Sequence, residues 1–382
     1  MTVAAPAAPA LRVRRYDPAD LPAVERLNRR FQAANIDHVL YPENERQRTA
    51  TERASWVRDR LFVAAQHDEI RAGVWLKEQE FWIAGSPVRA GWAKYPVSES
   101  LIDRAYAGIP GSLLFQLLRE QPRLMALGLG GHEGPFARLL AGMRWPGVTV
   151  PFFVKVVNGG RVARELTVIR ASRARSALLD VLAYTGLATA SVAVLNGLRS
   201  LRLPPRPSGY SSTVVDAFGD WTDALWARSR SEYGFLATRD AAALSQIYTD
   251  EYRGVTQLRV ERGGEVVGWA CVHRMDGRRP GAQSPFGKLV VGVVADCLAT
   301  PADAAGVVYE ATRCLLDQKV DLLISHQSHP AWGAALENIG WFRRPSNFAF
   351  YRSPAVEALT ADSFGVGSYH LTRGDCDGLM RV

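Results

Sequence analysis

The sequence predicts an α/β protein in which a mixed (α+β) sheet flanked by helices occurs twice, in two tandem domains. Three observations carry that expectation. The chain has 382 residues, 47% hydrophobic and 22% charged. That composition suits a globular protein, excludes disordered, fibrous and polytopic membrane classes, and at this length supplies two cores. Helix and strand signals alternate along the chain in one order, which is then repeated. The landmarks of the two passes share a spacing of about 195 residues, and generic helix and strand signals would explain each match singly but not their common spacing.

Each copy opens on a helix: residues 21–31 follow the cap signal Asp17-Pro18-Ala19-Asp20, and residues 221–233 follow Gly219-Asp220. A hairpin comes next. In the first copy it is Phe62-Val63-Ala64-Ala65, a polar turn at His67-Asp68-Glu69, and Ile70-Arg71-Ala72-Gly73-Val74-Trp75. In the second it is Leu258-Arg259-Val260-Glu261, a turn at Gly263-Gly264, and Val266-Val267-Gly268-Trp269, with Gly73 and Gly268 separated by 195. The central strands are Gly91-Trp92-Ala93-Lys94-Tyr95-Pro96-Val97 and the apolar run 289–295. Each leads through a loop into a helix at Gly111 or Gly306, again 195 apart, and then into the apolar runs 124–129 and 320–324. A further helix lies between His132 and Trp145 and between His329 and Trp341, at offsets of 197 and 196, before the last strands at 150–154 and 348–351.

The expected boundaries are 1–157 for the first copy, 158–209 for a basic and apolar helical linker, and 210–382 for the second copy with its C-terminal tail. The net charge of +8 divides over these segments as +5, +6 and −3. The densest positive stretch flanks 18 uncharged residues, 181–198, with Arg170, Arg173 and Arg175 before them and Arg199, Arg202 and Arg206 after. A charge concentrated in a linker argues against a DNA partner. Tyr184, Thr185, Gly186, Thr189, Ser191, Asn196 and Gly197 make the run a poor spanning helix. It reads either as a helix packed between the domains or as an interfacial helix whose arginines meet an anionic membrane through 170–206. Cys271, Cys297, Cys314 and Cys376 form no C-x-x-C pair, which excludes a zinc ribbon and suits a reducing compartment. Residues 1–10 lack a basic start and are broken by prolines, so they read as a flexible tail rather than a signal peptide. The expected location is cytoplasmic, or peripheral at the inner membrane face if the linker is interfacial.

The segment Arg104-Ala105-Tyr106-Ala107-Gly108-Ile109-Pro110-Gly111-Ser112-Leu113-Leu114 follows the first central strand. Glycines there let backbone N–H groups approach phosphate oxygens, and a helix N-terminus adds a favourable dipole. The same residues also suit a loop that merely turns the chain into the helix. In its strand, loop and helix order the segment resembles the GNAT acyltransferases, in which Arg/Gln-x-x-Gly-x-Gly/Ala wraps the pyrophosphate of acyl-CoA, and the chain as a whole resembles two such domains in tandem. Ala105 stands where that pattern has Arg or Gln; Pro110 stands where it has the second Gly, with Gly111 one place later. The resemblance implies acetyl-CoA or another acyl-CoA as co-substrate and no metal. It assigns donor contacts to Val97, Arg104, Gly108, Ile109, Gly111 and Ser112. The second copy's loop, Thr300-Pro301-Ala302-Asp303-Ala304-Ala305-Gly306, has one Gly and an Asp that would repel phosphate, so the first copy is the expected donor site. Tandem chains of this type also occur among Fem-type aminoacyl transferases and in a polysaccharide-linked group whose tails the segment 369–378 resembles.

Transfer to an amine needs a proton acceptor within hydrogen-bond reach. The positions just after the central strands supply Ser98, Glu99, His132 and Glu133 in the first copy, and Asp296, His326 and His329 in the second. Each has a structural alternative. Glu133 falls in a first helical turn, where an acid helps the dipole; Asp296 can cap the turn before Pro301; His326 and His329 lack a third ligand of suggestive spacing and read as a polar strand end rather than a metal pair. Asp375-Cys376-Asp377-Gly378 lacks the acids of a calcium loop. The resemblance implies a bacterial N-acyltransferase acting on a small-molecule amine, such as an amino sugar or other cell-surface precursor. The alternatives are a Fem-type aminoacyl transferase using aminoacyl-tRNA and a catalytically silent scaffold.

Overall fold

Alternating apolar residues place the two hairpins where expected, and they share an irregularity. In a computed structural model, which describes residues 11–36, 38–41, 57–166, 190, 204–248, 254–276, 286–360 and 366–376, strands β2 (Val57–Gln66) and β3 (Glu69–Ile83) pair through Ala64↔Ala72 and then slip to Ala65↔Ile70. Strands β10 (Val255–Arg262) and β11 (Glu265–Asp276) pair through Val260↔Gly268 and slip to Glu261↔Val266. The same bulge thus recurs 196 residues on, and Gly268 corresponds to Ala72 rather than to Gly73.

The first sheet runs β1 (Arg12–Arg15), β2, β3, β4 (Ser86–Ser98), β5 (Leu124–Gly128), β15 (Ala349–Arg352), β6 (Gly147–Thr149), with β9 (Phe235–Ala237) pairing β3. Helix α1 (Leu21–Ala33) buries Ala23, Val24, Leu27 and Phe31, a helical stripe, together with Leu61, Val63 and Trp75. Helices α2 (Ile109–Glu120) and α3 (Pro135–Gly142) join a separate core containing Phe62, Val74, Leu76, Ala93 and Leu124. The period-2 alternation of β2 and β3 explains why neighbouring residues divide between the two cores.

The second sheet runs β14 (Phe342–Arg344), β7 (Phe152–Val156), β13 (Leu322–His326), β12 (Val290–Ala299), β11, β10, β8 (Tyr210–Val215). Its main core gathers Trp269, Leu298, Trp332, Trp341 and Val307, the last from α7 (Ala304–Asp317). The remaining described helices of eight or more residues are α5 (Trp221–Ser229) and α8 (Pro330–Asn338), with the shorter α4 (Gly159–Glu165), α6 (Ala241–Ile247) and α9 (Pro354–Thr360).

Neither sheet is built from one continuous half of the chain. β7, inside the expected 1–157 segment, pairs antiparallel with β13, while β15, from the second copy, pairs antiparallel with β5. The two compact units are accordingly Met1–Glu80, Val88–Val148 and Ala349–Leu359 for one, and Phe81–Pro87, Thr149–Phe348 and Thr360–Val382 for the other. The physical reason is that β5 and β13 each need an antiparallel neighbour, and the two candidate strands are apolar and equivalent in order. The uncharged run of the linker, with Arg170, Arg173, Arg175, Arg199 and Arg202, lies outside the described residues apart from residue 190, as do residues 1–10 and the tail past Cys376. Among the described residues no helix is long and apolar enough to cross a membrane.

Candidate functional site

In both sheets the central strand loses its parallel neighbour part-way along. β4 pairs β5 only at Gly91↔Leu124 and Trp92↔Met125, and β12 pairs β13 from Val291↔Leu322 to Val294↔Ser325. Gly91 and Val291 hold the same place, so the central strands are offset by 200 residues although the helices that follow are offset by 195. The first copy's loop is therefore five residues longer. Just beyond the paired stretch each central strand is irregular. Tyr95 has φ +48°, in the left-handed region that a bulky residue rarely adopts. At the matching position Ala295 is the extra residue between Cys271↔Asp296 and Val272↔Val294. Such bulges end pairing and turn backbone groups out of the ladder, which leaves donors and acceptors for something other than a strand.

The loop after β4 is built to present a helix N-terminus. Glu99 is 5% exposed and lies between Arg30 of α1 (2.6 Å) and Arg71 of β3 (2.9 Å), and the Arg71 guanidinium covers the Tyr106 ring at 4.8 Å. Asp103 accepts from the Ala105 N–H at 2.9 Å, holding a short 3-10 turn over Arg104–Tyr106. Gly108 is the N-cap of α2, Ile109 is buried beneath it, and Pro110 falls in the first turn, where its missing N–H would have had no partner inside the helix. A Cβ placed on Gly108 or Gly111 would meet nothing within 4 Å. Arg104 and Ser112 are exposed beside them. Val97 is buried with the α1 core, so only its backbone faces the sheet edge.

The equivalent place in the second unit is filled. A Cβ on Gly306 would lie 2.1 Å from the Tyr210 ring. The Tyr210 hydroxyl donates to Asp303 at 3.0 Å, and Arg262 pairs with the same carboxylate at 2.7 Å. The chain's own ring and carboxylate cover the α7 N-terminus.

The catalytic candidates do not converge. Glu99 has its oxygens taken up by two guanidinium groups and anchors the loop. His132 is exposed, its Nδ1 2.8 Å from the Tyr351 hydroxyl. Glu133 is exposed and pairs only with Arg138 of α3. Asp296 does not cap the turn before Pro301: β12 continues to Ala299, and Asp296 sits mid-strand, 3% exposed. Arg239 donates to it through Nη2 at 2.9 Å and Nε at 3.2 Å, Tyr248 at 2.7 Å and Thr372 at 2.8 Å. Burial works to raise its pKa, but the Arg239 charge and these hydrogen bonds outweigh burial and hold the carboxyl below its ordinary value. Burial and the Asp296 charge push the Tyr248 hydroxyl well up. His326 is 4% exposed, stacks on Phe152 (4.7 Å) and packs at a tilt against Phe348 (4.4 Å), and its Nδ1 has no hydrogen-bond partner. Burial, then the Arg373 charge, lower its pKa to about 3. His329 instead caps α8 by accepting from Ala331 N–H.

Sequence reasoning missed Arg239, Asp375, Thr372, Tyr248 and His370, which surround Asp296. Arg239 reads as loop polarity before a helix, and only the fold brings it to residues 57 and 136 positions away.

No family model and no curated sequence matches the chain. Among solved structures, the chain is similar to an N-myristoyltransferase of Saccharomyces cerevisiae with bound myristoyl-CoA and inhibitors, at TM-score 0.52 and 10% identity, over 90% of this chain and 79% of that one. It is similar to a GCN5-related N-acetyltransferase from Anabaena variabilis at TM-score 0.52 and 10% identity, over 90% and 73%. At this identity the likeness is one of fold, and the two mixed sheets are GNAT-type sheets.

Proposed function

We propose that the protein transfers an acyl group from acyl-CoA to a small-molecule amine and that the donor sits on the first unit. One observation carries this. The GNAT-type sheet opening and the helix N-terminus beyond it are present twice, and among the described residues only the first helix N-terminus is left uncovered, with Gly108 and Gly111 bordering open space. The residues present suit the donor's pyrophosphate. The α2 amides of Ile109 and Gly111 lie at the positive end of the helix dipole, and Arg104 lies one turn before them. Beyond Gly91 and Trp92, where β4 pairs with β5, the β5-facing side of β4 is the place for an extended amide-bearing arm. When bound, acyl-CoA supplies a thioester, an acyl group on a good leaving group. Glu99, through Arg30 and Arg71, positions the loop. His132, whose Nδ1 lies 2.8 Å from the Tyr351 hydroxyl, is the group we assign to take the amine proton. The two structural neighbours, an N-myristoyltransferase and an N-acetyltransferase, support the reaction class; the amine acceptor, an amino sugar or cell-surface precursor among them, is carried over from the sequence resemblance.

The test is calorimetric titration with acetyl-CoA and a long-chain acyl-CoA on the intact chain and on Gly111→Asp. An acid in a first helical turn favours the helix, and the site has room for it, so the fold should persist. Binding weakened by about 10-fold or more in the variant is expected from a carboxylate facing phosphate. Absence of binding of either donor to the wild type would remove the proposal.

A further inference from the structure

We infer that the opening of the second sheet is a built peptide site, filled in cis by the chain's own tail, Tyr369–Cys376. The opening lies where β12 leaves β13 after Val294↔Ser325. Into it the tail sends backbone and side-chain donors that meet both edges. Gly374 N–H donates to the carbonyl of the bulged residue Ala295 at 2.9 Å, and His370 Nε2 donates to the Cys297 carbonyl at 2.8 Å. On the other edge Leu371 N–H donates to Ser328 Oγ at 2.7 Å, Ser328 N–H to the Leu371 carbonyl at 3.1 Å, and Thr372 forms an antiparallel bridge with Gln327. An extended segment that satisfies a sheet edge in this way is strand addition, in which main-chain bonds give affinity and side-chain pockets give specificity.

The specificity element is charge. Arg239, 1% exposed, presents one guanidinium to two carboxylates, Asp296 of β12 and Asp375 of the tail, the latter at 3.0 Å. Asp375 also accepts from the Thr372 N–H at 2.7 Å, which folds the tail into a tight turn. Thr372 is fully buried and His370 lies stacked on Tyr233 and Trp332. The ligand class is therefore an extended segment carrying His-x-Thr-x-Gly-Asp. Its close fit is set by Gly374: a Cβ there would lie 2.5 Å from the Tyr248 hydroxyl and 2.8 Å from Asp296 Cβ. Among the described residues, the tail fills this opening and Tyr210 covers the α7 N-terminus, the two places that correspond to the donor site proposed for the first unit.

The experiment uses the full chain, wild type and Gly374→Val, with amide hydrogen exchange and a fluorescein-labelled synthetic peptide of residues 367–376. In the wild type the Leu371 and Gly374 amides are expected to be protected and the peptide not to bind. In Gly374→Val protection of residues 369–376 falls by about 100-fold or more while β10 and α7 stay protected, and the peptide binds saturably. A peptide with Asp375→Asn binds about 10-fold more weakly, as loss of a buried charge pair requires. Tail amides that exchange freely in the wild type, unchanged protection in Gly374→Val, or a folded variant that ignores the peptide would each overturn the inference. So would wild-type protection that depends on protein concentration, since a second copy would then supply the tail. Should Gly374→Val unfold the second unit, Asp375→Asn in the full chain is the replacement, with protection loss of about 10-fold confined to 295–297 and 369–376. No such loss would refute the site.

Discussion

Replacing Arg239 by Met should be among the most damaging single changes in the second unit, and its cost should depend on pH in an unusual direction. Arg239 is 1% exposed and donates to Asp296 through Nε and Nη2, to Asp375 through Nη2 and to the Ala237 carbonyl through Nη1 at 3.2 Å. Methionine fills much of the space but removes the guanidinium that pairs with both buried carboxylates. Breaking a buried pair by removing one partner costs about 3–5 kcal/mol, and Arg239 serves two buried carboxylates, which places this case at the upper end. Against a total stability of about 5–15 kcal/mol this is severe, and at about 2–4 °C per kcal/mol it lowers the melting temperature of the unit by roughly 10 °C or more. In the wild type the Asp296 carboxyl is held below its ordinary value, so its contribution is present above the unfolded pKa near 3.8 and is lost as pH falls through the folded value. Without Arg239 the largest opposing charge is gone and burial acts against only the Tyr248 and Thr372 hydrogen bonds, so the folded value rises and the variant loses less stability on acidification than the wild type. The deficit between wild type and variant should be largest at pH 7 and narrow toward pH 4. Differential scanning calorimetry across that range measures it. A deficit under about 1 kcal/mol, or one that stays constant with pH, would refute the assignment of Arg239 as the cation that holds both acids.

Two further outcomes follow from the same geometry. Gly306→Ala should destabilise by about 1–3 kcal/mol because its Cβ would enter the Tyr210 ring, whereas Gly111→Ala, in open space on α2, should be neutral or stabilising by up to about 1 kcal/mol; chemical denaturation of both variants decides, and equal losses would contradict the contrast between filled and open helix ends. His326, with its pKa lowered to about 3, favours the neutral folded form, so stability is full above pH 6.5 and falls on acidification toward pH 3 as the unfolded chain takes up the proton. His326→Phe retains the contacts with Phe152 and Phe348 and should remove about 3 kcal/mol of that loss at pH 4; an unchanged acid limb would show that His326 does not titrate with folding.

Much of the repeat was legible because it rests on local signals. Period-2 alternation placed β2, β3, β10 and β11, and the cap signal before Leu21 and the Pro at Pro135 and Pro330 placed helix starts. The Gly111 and Gly306 helices kept their 195 spacing, yet the central strands are offset by 200, because loop length is free to vary where backbone pairing is not. Residue type already favoured the first copy's loop over the second as the candidate donor site. Gly108 and Gly111 were informative, and so was Asp303, but the closing of the second loop needed Tyr210, 93 residues from its hydroxyl's partner.

The candidate bases were chosen by proximity to strand ends, and that criterion cannot see partners. Glu99 proved to be an anchor because Arg30 and Arg71 come from other elements; Asp296 proved to be enclosed because Arg239 and the tail converge on it. What the sequence by itself determined is the kind and order of elements, since these follow from side-chain periodicity and backbone preference within a few residues. What only the tertiary structure decided is which sheet receives β7 and β15, which of two similar openings is filled, and which ionisable groups are paired. Those are contests between distant segments of nearly equal local character, and they are settled by burial of apolar area and satisfaction of buried polar groups over the whole molecule.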